Sequence, residues 1–228
     1  MSYSAIQRLG AEALGTALLV CTVVGSGIMA ERLSPGDVGL QLLQNAIATA
    51  AALVALILAL QEASGAHFNP AVTLSARLSG EISTGDALEY TAAQIAGAVV
   101  GVCLANLMFE LPAIEISTKA RTGPHLLLAE FLATLGLVGV IHGVVRSGRA
   151  HLAAYAVGAY IAGAYYFTSS TSFANPAVTI ARTLSDTFAG IAPASAPSFI
   201  VVQLLGAVAT VPLLRRIYPN PADETPEG

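Results

Sequence analysis

The sequence predicts an all-α membrane protein: a bundle of six transmembrane helices plus two re-entrant half-helices, arranged as an inverted repeat. Three observations carry that expectation. The first is composition. Of 228 residues, 55% are hydrophobic and only 11% charged, against about 25% charged in a soluble domain, and mean hydropathy is +0.70. The second is a pentapeptide, Asn-Pro-Ala-Val-Thr, present at 69–73 and again at 175–179, each time inside an apolar stretch. The third is a set of echoes that puts the two copies at matching points of two halves. Interrupted apolar segments in corresponding halves point to a solute site near the bilayer midplane.

The first apolar segment, 7–29, resembles a signal peptide in its Arg8 followed by an apolar run. The run from Leu9 to Ala30 is long enough to span, however, and it is echoed in mid-chain, where a signal peptide does not lie. A second span covers 38–60 and leads to the first pentapeptide. Asparagine is a preferred helix N-cap, and proline suits the first helical position because its missing N–H had no partner there anyway. A short helix over 70–78 therefore starts at Asn69 and reaches about 15 Å, half the hydrocarbon thickness. Spans follow at 87–108, 126–145 and 152–168, then a second short helix at 176–184 and a last span at 199–217.

The halves, about 1–115 and 116–218, echo each other. Ala-Glu-Ala-Leu-Gly at 11–15 answers Ala-Glu-Phe-Leu-Ala at 129–133, and Ala93-Gln94-Ile95-Ala96-Gly97-Ala98 answers Val202-Gln203-Leu204-Leu205-Gly206-Ala207. Three spans per half is odd, so the second half enters from the opposite face, within one transmembrane domain. With both termini inside, Arg8, Arg77, Arg146, Arg149, Arg215 and Arg216 are cytoplasmic, while Arg32, Lys119, Arg121 and Arg182 are outside, a bias of the positive-inside sign. The Pro-rich acidic tail, 219–228, reads as disordered and cytoplasmic.

Composition also excludes functions. Net charge is -4 and Lys119 is the one lysine, so no basic stripe exists for nucleic acid. Trp is absent, leaving seven Tyr and seven Phe for the interfacial belts. Cys21 and Cys103 lie in apolar runs and read as small buried hydrophobes. No metal-ligand spacing, catalytic dyad or phosphate loop is present, so neither enzyme activity nor a cofactor is expected.

The motif has its own chemistry. Each half-helix N-terminus carries roughly half a positive charge. Two such ends meeting at the midplane repel cations and protons but not neutral polar solutes. Asn69 and Asn175 add amide donors. The backbone before each motif cannot satisfy its own carbonyls, and such backbone is tolerated at membrane depth only where it is buried in protein or lines a water-filled cavity. The carbonyls of Gly65, Ala66, His67, Thr171 and Phe173 are therefore expected to form an acceptor ladder.

Along nearly its whole length the chain resembles the aquaporin (major intrinsic protein) family. Residues 64–73, Ser-Gly-Ala-His-Phe-Asn-Pro-Ala-Val-Thr, are close to that family's first signature, and the Glu12/Glu130 and Gln94/Gln203 echoes match its internal repeat. The resemblance implies a homotetramer in the bilayer, each subunit with its own pore built on Asn69, Pro70, Ala71, Asn175, Pro176 and Ala177. Glu12 and Glu130 then have two readings: proton coupling in a transporter, or bracing of the loops, which their symmetric placement favours. His67 either lines the inner mouth or bonds locally to hold its loop.

The family's outer constriction uses four positions, which map here to Thr49, Gly163, Ser172 and Val178. Most members have arginine after the second Asn-Pro-Ala, and water-selective members have His and an aromatic where Gly163 and Thr49 are placed. Valine removes the charge and donors that arginine supplies, so a wide, weakly polar filter is expected, passing glycerol, urea or undissociated metalloid hydroxides. Arg182, four residues on, either brings charge to the outer mouth or pairs with Asp186, and the i,i+4 pair is the expectation. The pattern, with the phrases at 11–20 and 24–30, is similar to aquaglyceroporins of rhizobial arsenic-resistance operons, which implies passage of neutral arsenite. The rivals are a water-selective pore, an ion-coupled secondary transporter and a closed structural protein.

Overall fold

Helices begin where the sequence supplies caps. The computed structural model describes residues 3–218, so the tail expected at 219–228 lies outside the described residues. Helix α1 (Ala5–Leu33) starts on a reciprocal box in which Ser4 Oγ accepts the Gln7 N–H and Gln7 Oε1 accepts the Ser4 N–H. Asp37 and Ser83 side chains cap α2 (Val38–Ser64) and α4 (Thr84–Met108). A proline in the first turn opens α3 (Pro70–Leu78), α5 (Pro124–Arg146), α7 (Pro176–Ala181) and α8 (Ala196–Ile217). Helix α6 (Ala153–Phe167) follows a 3-10 turn at Ala150–Leu152, and another, Arg182–Leu184, continues α7.

Helices α1, α2, α4, α5 and α8 are long and apolar enough to cross a membrane. The sixth span, α6, has only 15 residues, about 22 Å at 1.5 Å per residue, but carries no charge, and the 3-10 turn lengthens it. The outer surface exposes Ile6, Leu14, Ile47, Leu104, Leu132 and Leu205, as lipid-facing helices do, while the interior holds Glu12, Gln94, Glu130 and Gln203 at 0% exposure.

Cross-links at the helix ends fix the topology. At one face, the near face, Arg8 at the start of α1 pairs with Asp86 at the start of α4 (2.8 Å). Arg215 near the end of α8 donates there to the Leu78 carbonyl at the end of α3 (3.4 Å). At the far face Arg32 donates to the Phe109 carbonyl just past α4, and Glu31 accepts the Phe188 N–H beyond α7. The two half-helices α3 and α7 thus exit to opposite faces.

Within each half a glycine lets two spans meet backbone to backbone. A Cβ at Gly97 of α4 would fall onto the Ala13 carbonyl of α1, and one at Gly206 of α8 would lie 2.7 Å from the Phe131 carbonyl of α5. Such close approach substitutes in lipid for the hydrophobic drive available in water. These are the glycines of the two echoed hexapeptides, so the repeat in sequence is a repeat in packing.

Candidate functional site

The two loops before the half-helices have nearly one backbone trace. Gly65, Ala66 and Phe68 have φ of 87°, 52° and 49°; Thr171, Ser172 and Ala174 have 65°, 51° and 48°. Left-handed backbone at non-glycine residues costs of order 1–3 kcal/mol each, so something must hold it. Two buried carboxylates do. Glu12 Oε1 accepts the His67 N–H (2.9 Å) and the Ser64 hydroxyl (2.6 Å), and Oε2 accepts the Phe68 N–H (2.7 Å) and the Gln94 amide (2.7 Å). Glu130 accepts the Phe173 N–H (2.9 Å), the Ala174 N–H (2.9 Å) and the Gln203 amide (2.6 Å). Hydrogen bonds to a charged group are worth roughly 1.5–3 kcal/mol each, enough to offset the strain. Neither carboxylate reaches the cavity wall.

The asparagines tie the halves together. Asn69 Oδ1 caps its own helix on the Ala71 N–H (2.9 Å) while its amide donates to the Ala174 carbonyl (2.7 Å). Asn175 Oδ1 caps on Ala177 (3.0 Å) and its amide donates to the Phe68 carbonyl (2.8 Å). Each half-helix therefore starts against the other's loop. No donor among the described residues reaches the carbonyls of Gly65, Ala66, His67, Thr171, Ser172 or Phe173.

A cavity of about 270 Å³ lies between the halves, lined by Glu81, His142 and Val145 toward the near face, Asn69 and Asn175 in the middle, and Thr49, Tyr165, Val178 and Arg182 toward the far face. Its walls are helical stripes with a spacing of four: Leu19 and Val23 on α1, Thr49, Leu53 and Ile57 on α2, and Val157, Ile161 and Tyr165 on α6. Gly65, Ala66, His67, Ser172 and Phe173 line it; Thr171, half-buried, does not. His67 lines the cavity, and its Nδ1 lies 3.1 Å from Thr73 Oγ1.

Two expectations are corrected. Gly163 is not on the wall. It is exposed on the outer surface, and a Cβ there would meet nothing within 4 Å. Positions two apart lie about 200° round a helix, so a stripe through Ile161 and Tyr165 turns Gly163 away. Counting back from Asn175 crosses residues 168–170, which leave the helix in a turn closed by the Thr171 N–H on the Thr168 carbonyl (3.2 Å), and helical phase does not carry through such a turn. Tyr165 occupies the wall instead, its hydroxyl 3.0 Å from Thr49 Oγ1.

Nor does Arg182 pair with Asp186. The Asp186 carboxylate takes the Thr118 N–H (2.9 Å) and hydroxyl (3.0 Å), bonds that hold it below the usual aspartate range. Helix α7 stops at Ala181 and Ser185 is extended, so the regular i,i+4 geometry is absent. Arg182 is buried on the cavity wall, its guanidinium carbon 3.3 Å from the Phe173 ring centroid. Val178 lines the same wall, so a cationic side chain lies on the cavity one turn beyond the valine. Sequence reasoning also missed Glu81 and His142, whose Oε1 and Nδ1 lie 3.4 Å apart at the near-face end; nothing in their spacing marks them as neighbours.

A cavity with one polar edge running through an apolar bundle, flanked at its middle by two opposed helix N-termini, is the geometry of a passive membrane channel for small neutral solutes, the class to which the chain's relatives also assign it. The comparisons agree: the chain belongs to the major intrinsic protein family, which it matches over residues 1–162 and 127–226. It is 51% identical over 209 residues to Aquaglyceroporin AqpS of Rhizobium meliloti (strain 1021), covering 92% of this chain and 89% of that one. It is 33% identical over 194 residues to Aquaporin NIP1-4 of Oryza sativa subsp. japonica, covering 81% and 68%. Its fold is similar to that of the aquaglyceroporin from Plasmodium falciparum, with a TM-score of 0.71 at 22% identity over 94% of this chain and 97% of the other.

Proposed function

We propose that this channel passes glycerol, urea and undissociated arsenous acid as well as water, and that it works as a homotetramer in a bacterial plasma membrane with both termini cytoplasmic. The observation that carries the solute reading is Val178 on the cavity wall, where most of the family has arginine. A short apolar side chain there leaves room beside the Asn-Pro-Ala pair for a solute carrying three hydroxyls. The likeness to an aquaglyceroporin supports the same class. In this reading Glu12 and Glu130 brace the loops, the free carbonyls of residues 65–67, 172 and 173 accept solute hydroxyls, and Asn69 and Asn175 meet the solute beside the opposed helix ends. Orientation is supported by the arginines: Arg8, Arg77, Arg146, Arg149, Arg215 and Arg216 belong to the near face, and with Arg182 buried in the pore only Arg32, Lys119 and Arg121 remain for the far one.

The test is swelling of liposomes holding the purified protein, without ion gradients. Glycerol and arsenite fluxes are expected to be fast and linear in concentration; saturable uptake that needs an ion gradient overturns the channel, and water flux alone overturns the solute class. Val178→Arg is expected to lower glycerol and arsenite flux by roughly tenfold, about 1.4 kcal/mol of barrier, and water flux much less. Equal fluxes before and after would remove Val178 from the constriction.

A further inference from the structure

Arg182 is a buried cation without a carboxylate. It is 3% exposed, Asp186 is committed to Thr118, and no acidic group among the described residues forms a salt bridge with it. Its Nε donates to the Ala189 carbonyl, and Phe173 lies against the guanidinium plane. The same ring has Arg121 at 5.0 Å, itself tied to the Gly190 carbonyl (2.9 Å), so the stack is held from behind. A guanidinium has five donors. The four on Nη1 and Nη2 meet no acceptor among the described residues, and Arg182 lines the cavity. A charge out of water is tolerated only if something else solvates it, and the cavity contents are what remains.

A second, independent observation points to the same place. The Ser172 hydroxyl is buried without a hydrogen-bond partner, in a residue that lines the same cavity and whose backbone is held at φ 51°. The Thr49 and Tyr165 hydroxyls, 3.0 Å apart, use one hydrogen between them and leave the other to donate. Val178 and Ile161 are the apolar neighbours on this wall.

We propose that Arg182 is the specificity-determining cation of this pore, displaced one turn beyond Val178, and that with Ser172 and the Thr49–Tyr165 pair it forms a subsite for one small neutral polyhydroxyl solute at a time. The Nη donors take solute hydroxyl oxygens, Ser172 Oγ accepts a solute O–H, and Val178 and Ile161 meet its carbon side. The fixed charge raises the barrier to cations and protons, a task that valine at 178 cannot perform. The inference rests on the channel reading.

The experiment compares wild type, Arg182→Met, Ser172→Ala and the double variant Val178→Arg/Arg182→Val in liposomes, reading water, glycerol and erythritol fluxes and proton leak with an internal pH dye. Wild type is expected to pass glycerol with proton leak at the level of empty vesicles. Glycerol-impermeable wild type would overturn the proposed solute class itself, whatever the variants do. Arg182→Met is expected to raise proton leak roughly tenfold and to lower the glycerol-to-erythritol ratio by a similar factor. The double variant keeps the proton block and loses glycerol flux. A monodisperse Arg182→Met protein with wild-type melting, background leak and an unchanged ratio would show that Arg182 only braces the Ala189 loop. Should that variant fail to fold, Ser172→Ala decides, because it removes a hydroxyl that bonds nothing in the protein: a severalfold drop in glycerol flux with water unchanged supports the subsite, and unchanged glycerol flux overturns it.

Discussion

The two halves of the molecule agree in their frame and disagree in their mouths. Ala66 and Ser172, or Phe68 and Ala174, differ by one degree in φ, and Glu12 with Gln94 repeats as Glu130 with Gln203. Yet His67 of the first loop corresponds to Phe173 of the second, and the cavity position one turn beyond Val72 is Ala76, whereas beyond Val178 it is Arg182. The residues that match satisfy backbone donors at membrane depth, a problem both loops face because lipid offers no hydrogen bonds. The residues that differ touch the cavity. A duplicated frame thus carries an unduplicated lining.

The largest expected effect would break the equivalence of the frames if it were unequal. Glu130→Ala strands the Phe173 and Ala174 N–H groups and the Gln203 amide, and Glu12→Ala strands their counterparts. At roughly 1–3 kcal/mol per buried unsatisfied donor, each variant is expected to lose more than about 3 kcal/mol, read as a large fall in detergent melting temperature by circular dichroism. A severe loss in one half beside a mild one in the other would mean that one loop is held by other contacts.

A smaller effect sharpens the contrast between the mouths. Glu81, between α3 and α4, is held below the usual glutamate range by its bond to His142, with burial opposing. Its folded pKa is depressed, so its contribution to stability is present above the unfolded value of about 4.3 and is lost as pH falls through the lower, folded value. Wild-type melting is expected to drop below about pH 4 more steeply than that of Glu81→Gln. Parallel curves would make the carboxyl a bystander.

The smallest effect tests the corrected phase of α6. Gly163→Ala adds a methyl group to open space and is expected to gain about 0.5–1 kcal/mol, the usual helix-interior difference, with glycerol flux unchanged. A fall in flux would return position 163 to the pore wall.

All six expected spans appear as helices, five of them long and apolar enough to cross a membrane, and the half-helices start at Asn69 and Asn175, because caps, prolines and apolar runs are local signals. No local signal marks Tyr165. Helix α6 also carries Tyr155, Tyr160 and Tyr166, and composition does not say which hydroxyl faces inward; Thr49 across the bundle settles that. Arg182 stood in view, but its partner could not be chosen from spacing, because the choice depends on where α7 unwinds and on what Thr118 takes from Asp186.

By itself the amino-acid sequence determined the class of this protein: a duplicated, membrane-length chain whose paired Asn-Pro-Ala motifs break two helices at matching points. Period and capping are properties of neighbouring residues, so a linear reading reaches them. Only the tertiary structure decided the lining, putting Tyr165 in and Gly163 out and bringing Arg182 beside Phe173 on the wall that holds Val178. Those outcomes turn on helix phase across an irregular turn and on competition for hydrogen bonds between distant segments, and neither is encoded in any local stretch.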